Sequence, residues 1–277
     1  MSYQFATGLL YTLMLLSLGA CNRSFYSPNE AYLHGLDQKG SIRIGGSLPN
    51  PNPNAEYREF SGLAAYSPVR GLGLVGSYQR VGSNQLEEGT LAWRIQLLEG
   101  AVGYYYKRSL RSHPNQSFLL DVYGGYGAGS TRFSYEDLGR LDISFDRLFL
   151  SSGVHFWLGR KFGVSFGLRL TQLNFKKATV GGLVGNAEIE TLLVIEEENP
   201  FFTVEPSVQY TFGSPSFRVY LSMTGFSSKN VDRLENSFVA ITPIGQPLAK
   251  VGFIISPNHF GEARRKKQAE EALGFGN

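Results

Sequence analysis

Between residues 40 and 257 apolar side chains recur at every second position, and no segment there is apolar for long enough to cross a bilayer as a helix. That pair of facts constrains the fold more than any other property of the chain. In FRVYLSM at 217–223, Phe217, Val219, Leu221 and Met223 share one face, while Arg218, Tyr220 and Ser222 share the other. In VSFGLRLT at 164–171, Val164, Phe166, Leu168 and Leu170 oppose Ser165, Gly167, Arg169 and Thr171. TVEPSVQYTF at 203–212 alternates in the same way. A period of two is the signature of a strand with unlike faces.

About ten such runs lie near 40–48, 58–68, 71–81, 93–108, 116–131, 143–158, 162–176, 201–213, 216–227 and 247–256. Most reach the nine to eleven residues with which a tilted strand crosses a bilayer. Around Leu97-Leu98 the apolar phase flips, which predicts a β-bulge at that point. The connections alternate in length. SPVR (67–70), SLRSHPN (109–115), LGRK (158–161) and GSPS (213–216) are short, whereas LPNPNPNAEY, GSNQLEEG, SYEDLGRLD, 178–200 and 228–246 are longer. Short turns at one end and long loops at the other predict an all-β fold: an antiparallel, up-and-down transmembrane β-barrel of about ten strands (8–12). An even strand number places both termini at the short-turn, periplasmic end. Tyr104, Tyr106, Tyr126, Phe156, Trp157, Tyr210 and Phe212, near run ends, are expected in interfacial aromatic girdles.

The only cysteine, Cys21, stands where the apolar run Leu9 to Leu18 stops. That run has signal-peptide length and leads into Leu18-Gly19-Ala20-Cys21. The sequence resembles the bacterial lipobox, which implies cleavage before Cys21 and a diacylglycerol on its thiol, although Met1 to Gly8 carries no Lys or Arg. A lone cysteine leaves no internal disulfide framework and no Cys-rich zinc site. The expected organisation is a lipoprotein signal peptide (1–20), a lipidated linker (21–39), a barrel (40–257) and a charged periplasmic tail (258–277).

Opposite the apolar faces stand Arg43, Glu99, Asp121, Arg147, His155, Arg169, Glu205, Arg218 and Lys250. In a barrel of this strand number the lumen is narrow, so these charges are expected to pair into a network that plugs it. A polar conduit or small-ligand site is the competing reading. GGYGAG at 124–129 has neither the lysine nor the spacing of a phosphate loop. Gly125, Gly127 and Gly129 share one face and are expected to make room for large lumen neighbours. The 178–200 loop holds an acidic AEIETLLVIEEENP stretch, read as a solvated loop, and GEARRKKQAEEAL (261–273) as a short charged helix.

Lys+Arg 26 against Asp+Glu 23 leaves a net charge of only +3, too near balance for a nucleic-acid footprint. Of the four histidines, His34 precedes the barrel, His113 falls in a short turn and His259 in the tail. His155 alone lies on a strand, with Ser151 and Ser152 close in sequence, and no catalytic geometry follows from that spacing. The expectation is a non-enzyme without metal or cofactor. Its partners would be outer-membrane lipid and the barrel-assembly and lipoprotein-sorting machinery. Its role would be structural or surface interaction through the long loops. The alternatives are a narrow pore or small-solute carrier, and a periplasmic lipoprotein with a soluble ligand-binding β-barrel.

The Cys21 to Tyr26-Ser27-Pro28 start, AYSPVRGLGLVGSYQ (65–79), GAVGYYY (100–106) and DRLFLSSGVHF (146–156) resemble outer-membrane β-barrel lipoproteins of the Bacteroidetes type. The resemblance implies a fold and a bacterial outer-membrane location. It implies no reaction and carries over no catalytic residue.

Overall fold

The computed structural model describes residues 36–47, 58–82, 91–110, 113–135, 139–159, 161–181, 199–225, 227–228 and 248–259. The strands are β1 (Ile42–Ser47), β2 (Arg58–Tyr66), β3 (Leu72–Gly82), β4 (Leu91–Leu110), β5 (His113–Tyr135), β6 (Gly139–Leu158), β7 (Phe162–Gly181), β8 (Phe201–Gly213), β9 (Phe217–Thr224), β10 (Ser227–Ser228) and β11 (Leu248–Ile255). Every pairing is antiparallel, in the order β10-β8-β7-β6-β5-β4-β3-β2-β1-β11-β9, and β8 also pairs with β9, which closes the ring. The two-residue β10 is the upper end of β9. Thr224 faces Ser207, Gly225 N donates to Pro206 O at 2.8 Å, and Ser227 faces Val204, all in one register. The architecture is therefore a closed barrel of ten antiparallel strands.

Both ends of the barrel follow from local sequence. The turns after β2, β6 and β8 use Gly71, Gly159 and Gly213 at φ 88°, 96° and 122°, a region that side chains with a Cβ disfavour. The β5–β6 connection is tighter than SYEDLGRLD suggested. β5 runs to Tyr135 and β6 begins at Gly139, so only 136–138 lie between them. Cys21, the segments 1–20 and 21–35, the acidic loop and the tail beyond His259 lie outside the described residues.

The outward face carries a continuous apolar belt. Its exposed members range from Ile42 at 38% to Leu98 and Tyr104 at 64%. Soluble monomers rarely leave apolar surface of this extent open to water. On β7 the belt runs from Phe162 to Leu170, and on β6 from Leu148 to Leu158, nine and eleven residues, the height of a bilayer core. Above it β4–β7 continue as a collar in which the two faces exchange character. The outward residues become polar (Arg94, Gln96, Ser130, Arg132, Asp142, Gln172). The inward ones become apolar: Ile95, Leu97, Phe133, Leu141, Ile143, Phe145, Leu173 and Phe175 are 0–7% exposed.

This exchange explains the phase flip at Leu97-Leu98 and corrects the predicted bulge. β4 keeps an unbroken register with β3 and with β5 through this stretch. Leu97 faces in and Leu98 faces out, and the environment changes rather than the backbone. The register shifts fall elsewhere, between Ser109 and Leu110 near the short-turn end and between Ser144 and Phe145, where Lys176 is the extra residue opposite.

Tyr104, Tyr106, Tyr126, Phe156 and Phe212 are exposed on the belt. Trp157 is not in the outer girdle. Its ring lies inside, 3.9 Å beneath the Arg218 guanidinium and over Gly163, where a Cβ would come within 2.5 Å of it.

Candidate functional site

The lumen is where the sequence concentrates its buried charge. At mid-height, Glu99 (β4), Gly127 (β5) and Arg147 (β6) lie on one cross-strand row. Gly127 contributes no side chain there, so the Arg147 guanidinium reaches across β5, its Nε donating to Glu99 Oε1 and its Nη2 in ion-pair contact with the same oxygen. Arg169 and Glu205 form a direct cross-strand pair on β7 and β8, with Arg169 Nη1 at 3.6 Å from Glu205 Oε2. Two longer contacts join the pairs: Arg147 Nη1 to Glu205 Oε1 at 3.8 Å, and Arg169 Nη1 to Glu99 Oε2 at 4.0 Å. Ser77 donates to Glu99 at 3.2 Å, and Thr171 and Thr203 donate to Glu205 at 3.1 and 3.2 Å. The Phe149 ring lies under both guanidiniums, at 5.5 Å from Arg147 and 5.0 Å from Arg169. All four charged groups are 0–4% exposed. The desolvation of four charges is large, and their mutual pairing offsets part of it.

The other glycines of the 124–129 stretch act by the same subtraction. A Cβ on Gly125 would collide with the Phe149 ring, and one on Gly129 would come within 2.5 Å of Phe145. Glycine admits the two large rings that flank the ion layer.

Two further groups complete the belt-level lumen. Lys250 pairs with Glu59, which also accepts from Gln79 Nε2 at 2.8 Å. His155 bridges Asp121 and Ser165, Nε2 to Asp121 Oδ2 at 2.8 Å and Nδ1 to Ser165 Oγ at 2.9 Å. That last chain has the order of a serine–histidine–aspartate relay. Its members are only 1–5% exposed, and it clasps β5, β6 and β7 together. The serine was not the one near in sequence. Ser165 sits opposite His155 on β7, Ser151 faces inward four residues from the histidine and opposite Arg169, and Ser152 faces outward.

The mouth at the short-turn end is closed by the segment before β1. Leu36 is 1% exposed and packs among Ala65, Val75, Tyr105, Leu119, Tyr123 and Phe149. Asp37, which precedes β1 and lies in this mouth, meets Arg43 at 3.3 Å and Lys107 at 3.0 Å. Burial by itself raises its carboxyl, but Arg43 and Lys107 outweigh that and lower it to about 2. Arg43 also donates to Ser256, and Asn258 bonds Ile42 N and Gly40 O, so the residues before β1 and after β11 hold each other.

Thus the structure brings Glu99, Arg147, Arg169 and Glu205 together, sets Asp121 with His155, pairs Lys250 with Glu59, and places Arg43 and Arg218 at the lower mouth. Asp37, Glu59 and Ser165 were missed. Glu59 was legible in principle, since it stands in phase with Ser61 and Ala65 on the inward face of β2. No group of three or more His, Cys, Asp or Glu side chains suited to a metal occurs among the described residues.

No protein-family model and no curated protein sequence matches the chain. Among solved structures it is similar to the COG4313 outer membrane channel from Pseudomonas putida F1, at 10% identity and a TM-score of 0.31, covering 83% of this chain and 100% of that one. It is also similar to the CymD monoaromatic hydrocarbon channel, at 10% identity and a TM-score of 0.25, covering 85% and 97%. Likeness this distant transfers no activity.

Proposed function

We propose that the chain is a bacterial outer-membrane barrel, closed at mid-height and lipid-anchored through Cys21, whose role is structural or one of surface interaction through its long loops. The observation that carries this reading is the ion layer of Glu99, Arg147, Arg169 and Glu205, with Leu36 beneath it. A lumen filled by paired, unexposed charge is a plug. The outward apolar belt supports the membrane location, and the lipobox resemblance supports the anchor. The Bacteroidetes-type resemblance agrees with both.

Reconstitution in a planar bilayer tests the plug. The native chain is expected to give no discrete conductance. Stepwise current from the native chain would replace this reading with that of a narrow pore. One observation favours that second reading. On the wall made by β8 and β9, the buried hydroxyls of Ser207 and Ser222 have no hydrogen-bond partner among the described residues, beside Gln209, Thr211 and Thr224. Small polar side chains of this kind are ordinarily satisfied by water, which would thread past the ion layer on that side. The anchor is tested separately: Cys21→Ala is expected to lose the lipid yet stay in the membrane fraction, and release to the aqueous phase would favour a soluble ligand-binding barrel.

A further inference from the structure

The collar above the belt carries a charge imbalance on its outer surface. Among the described residues the outward faces of β3–β7 at this height bear six cations, Arg80, Arg94, Arg132, Arg140, Lys176 and Lys177, against two carboxylates, Asp142 and Asp146. Lys176 is matched to Asp146 at 2.7 Å, and Tyr126 donates to the same carboxylate at the belt's upper edge. Asp142 is shared by two arginines, Arg132 Nε at 2.7 Å and Arg140 Nε at 2.5 Å. Each arginine uses Nε for Asp142 and remains about half exposed, at 47% and 49%. Arg94 stands directly opposite Arg132 across the β4–β5 ladder. Like charges in that position repel, and a ladder tolerates them when an anion lies between.

The height of the cluster identifies the anion. Arg94 is four residues beyond Leu98, the last large apolar outward position of β4, and Arg132 is six beyond Tyr126, that of β5. At about 3.3 Å per residue along a tilted strand, that is the level of lipid headgroup phosphates. We infer that the Arg94–Arg132–Arg140 face binds phosphate groups of anionic lipids in the leaflet on the long-loop side. The planar forks of the arginines meet phosphate oxygens in pairs, with Asp142 holding two of them in place. This inference rests on the membrane reading above.

The test uses the purified full chain in detergent, with the temperature at which the compact, heat-modifiable gel band converts as the readout. The probes are bis-phosphorylated lipid A, the same lipid with its phosphates removed, and inorganic phosphate. The expected result is a rise in conversion temperature with the phosphorylated lipid alone, an effect that weakens as salt is added. In R94Q/R132Q/R140Q the lipid concentration giving half the rise should increase by roughly tenfold or more, the cost of losing a charge-assisted hydrogen bond. R108Q/K161Q, at the short-turn end, should respond as the native chain does. An equal rise with the dephosphorylated lipid, an unchanged response of the triple variant, or an equal loss in the R108Q/K161Q variant would each overturn the inference. Inorganic phosphate matching lipid A would overturn the lipid as its source. If the triple variant does not give the compact band, R94Q alone and the salt titration of the native chain decide instead: a rise independent of salt overturns the inference. A native chain without any heat-modifiable band would sink the membrane reading first, so the two failures are told apart.

Discussion

The belt and the collar are built from the same strands with opposite rules. Along β4, residues 98–106 put leucine, valine and tyrosine outside and Glu99 inside, whereas residues 92–97 put arginine and glutamine outside and isoleucine and leucine inside. The backbone does not register the change. What differs is the surroundings each face must satisfy. Where the outside is hydrocarbon, an apolar outer face costs nothing and the lumen is free to hold charge. Where the outside is water, the lumen must supply the hydrophobic core. The T-shaped stacks of Phe145 on Phe175, at 6.0 Å, and of Phe175 on Phe201, at 5.5 Å, are such a core. The collar is a soluble barrel standing on a membrane one.

The sharpest way to break this comparison is to unbalance the belt's interior. Arg147→Ala leaves Glu99 and Glu205 buried with too few partners, and should cost about 3–5 kcal/mol. Urea unfolding in lipid vesicles measures it, and an unchanged midpoint would show that the ion layer contributes nothing. The outer faces give the next largest effect. Phe166→Arg, in the middle of the belt on β7, should cost roughly 2–4 kcal/mol in a bilayer, while Asn174→Arg, eight residues higher on the same face, should cost about 0–1 kcal/mol. Equal costs in vesicles would erase the boundary drawn here at Gln172. The smallest effect lies at the lower mouth. The Asp37 carboxyl is held at about 2 against an ordinary 3.8, so its contribution is fully present above about pH 4 and is lost as pH falls through about 2. The stability difference between the native chain and Asp37→Asn should therefore be on the order of 2 kcal/mol at neutral pH and shrink over that interval. A difference independent of pH would remove the ion pairs with Arg43 and Lys107 from the cap.

The ten runs read from alternation match the strands closely, because a period of two is a local property that the barrel leaves intact. The inward charges were legible for the same reason: each stands out of phase with its apolar neighbours. The misses share one cause, which is that phase reports a face and not what lies beyond it. The flip at Leu97-Leu98 looked like a bulge because the sequence does not mark where hydrocarbon gives way to water. Trp157 looked like an outer girdle residue because aromatics serve both surfaces. Ser165 could not be picked from the other serines, since its meeting with His155 depends on the β6–β7 register. SYEDLGRLD read as a loop because Gly139 and Asp142 belong to the start of a strand that rises clear of the belt.

The seam of the cylinder is narrow. β1 and β11 share only the pairs from Ile44–Ile255 to Ser47–Gly252, while β4 and β5 are laddered from Leu91 to Leu110. Those four pairs join residues more than two hundred positions apart, so they close the largest loop in the molecule and carry its highest entropic cost. Assembly is therefore a matter of timing. Until the last strand has been made, β1 waits with one edge unpaired, able to capture any strand that reaches it first. The bonds of Asn258 to Gly40 and Ile42 then act as a clasp, and a chain that lost them would be expected to fail at closure, with its hairpins already formed.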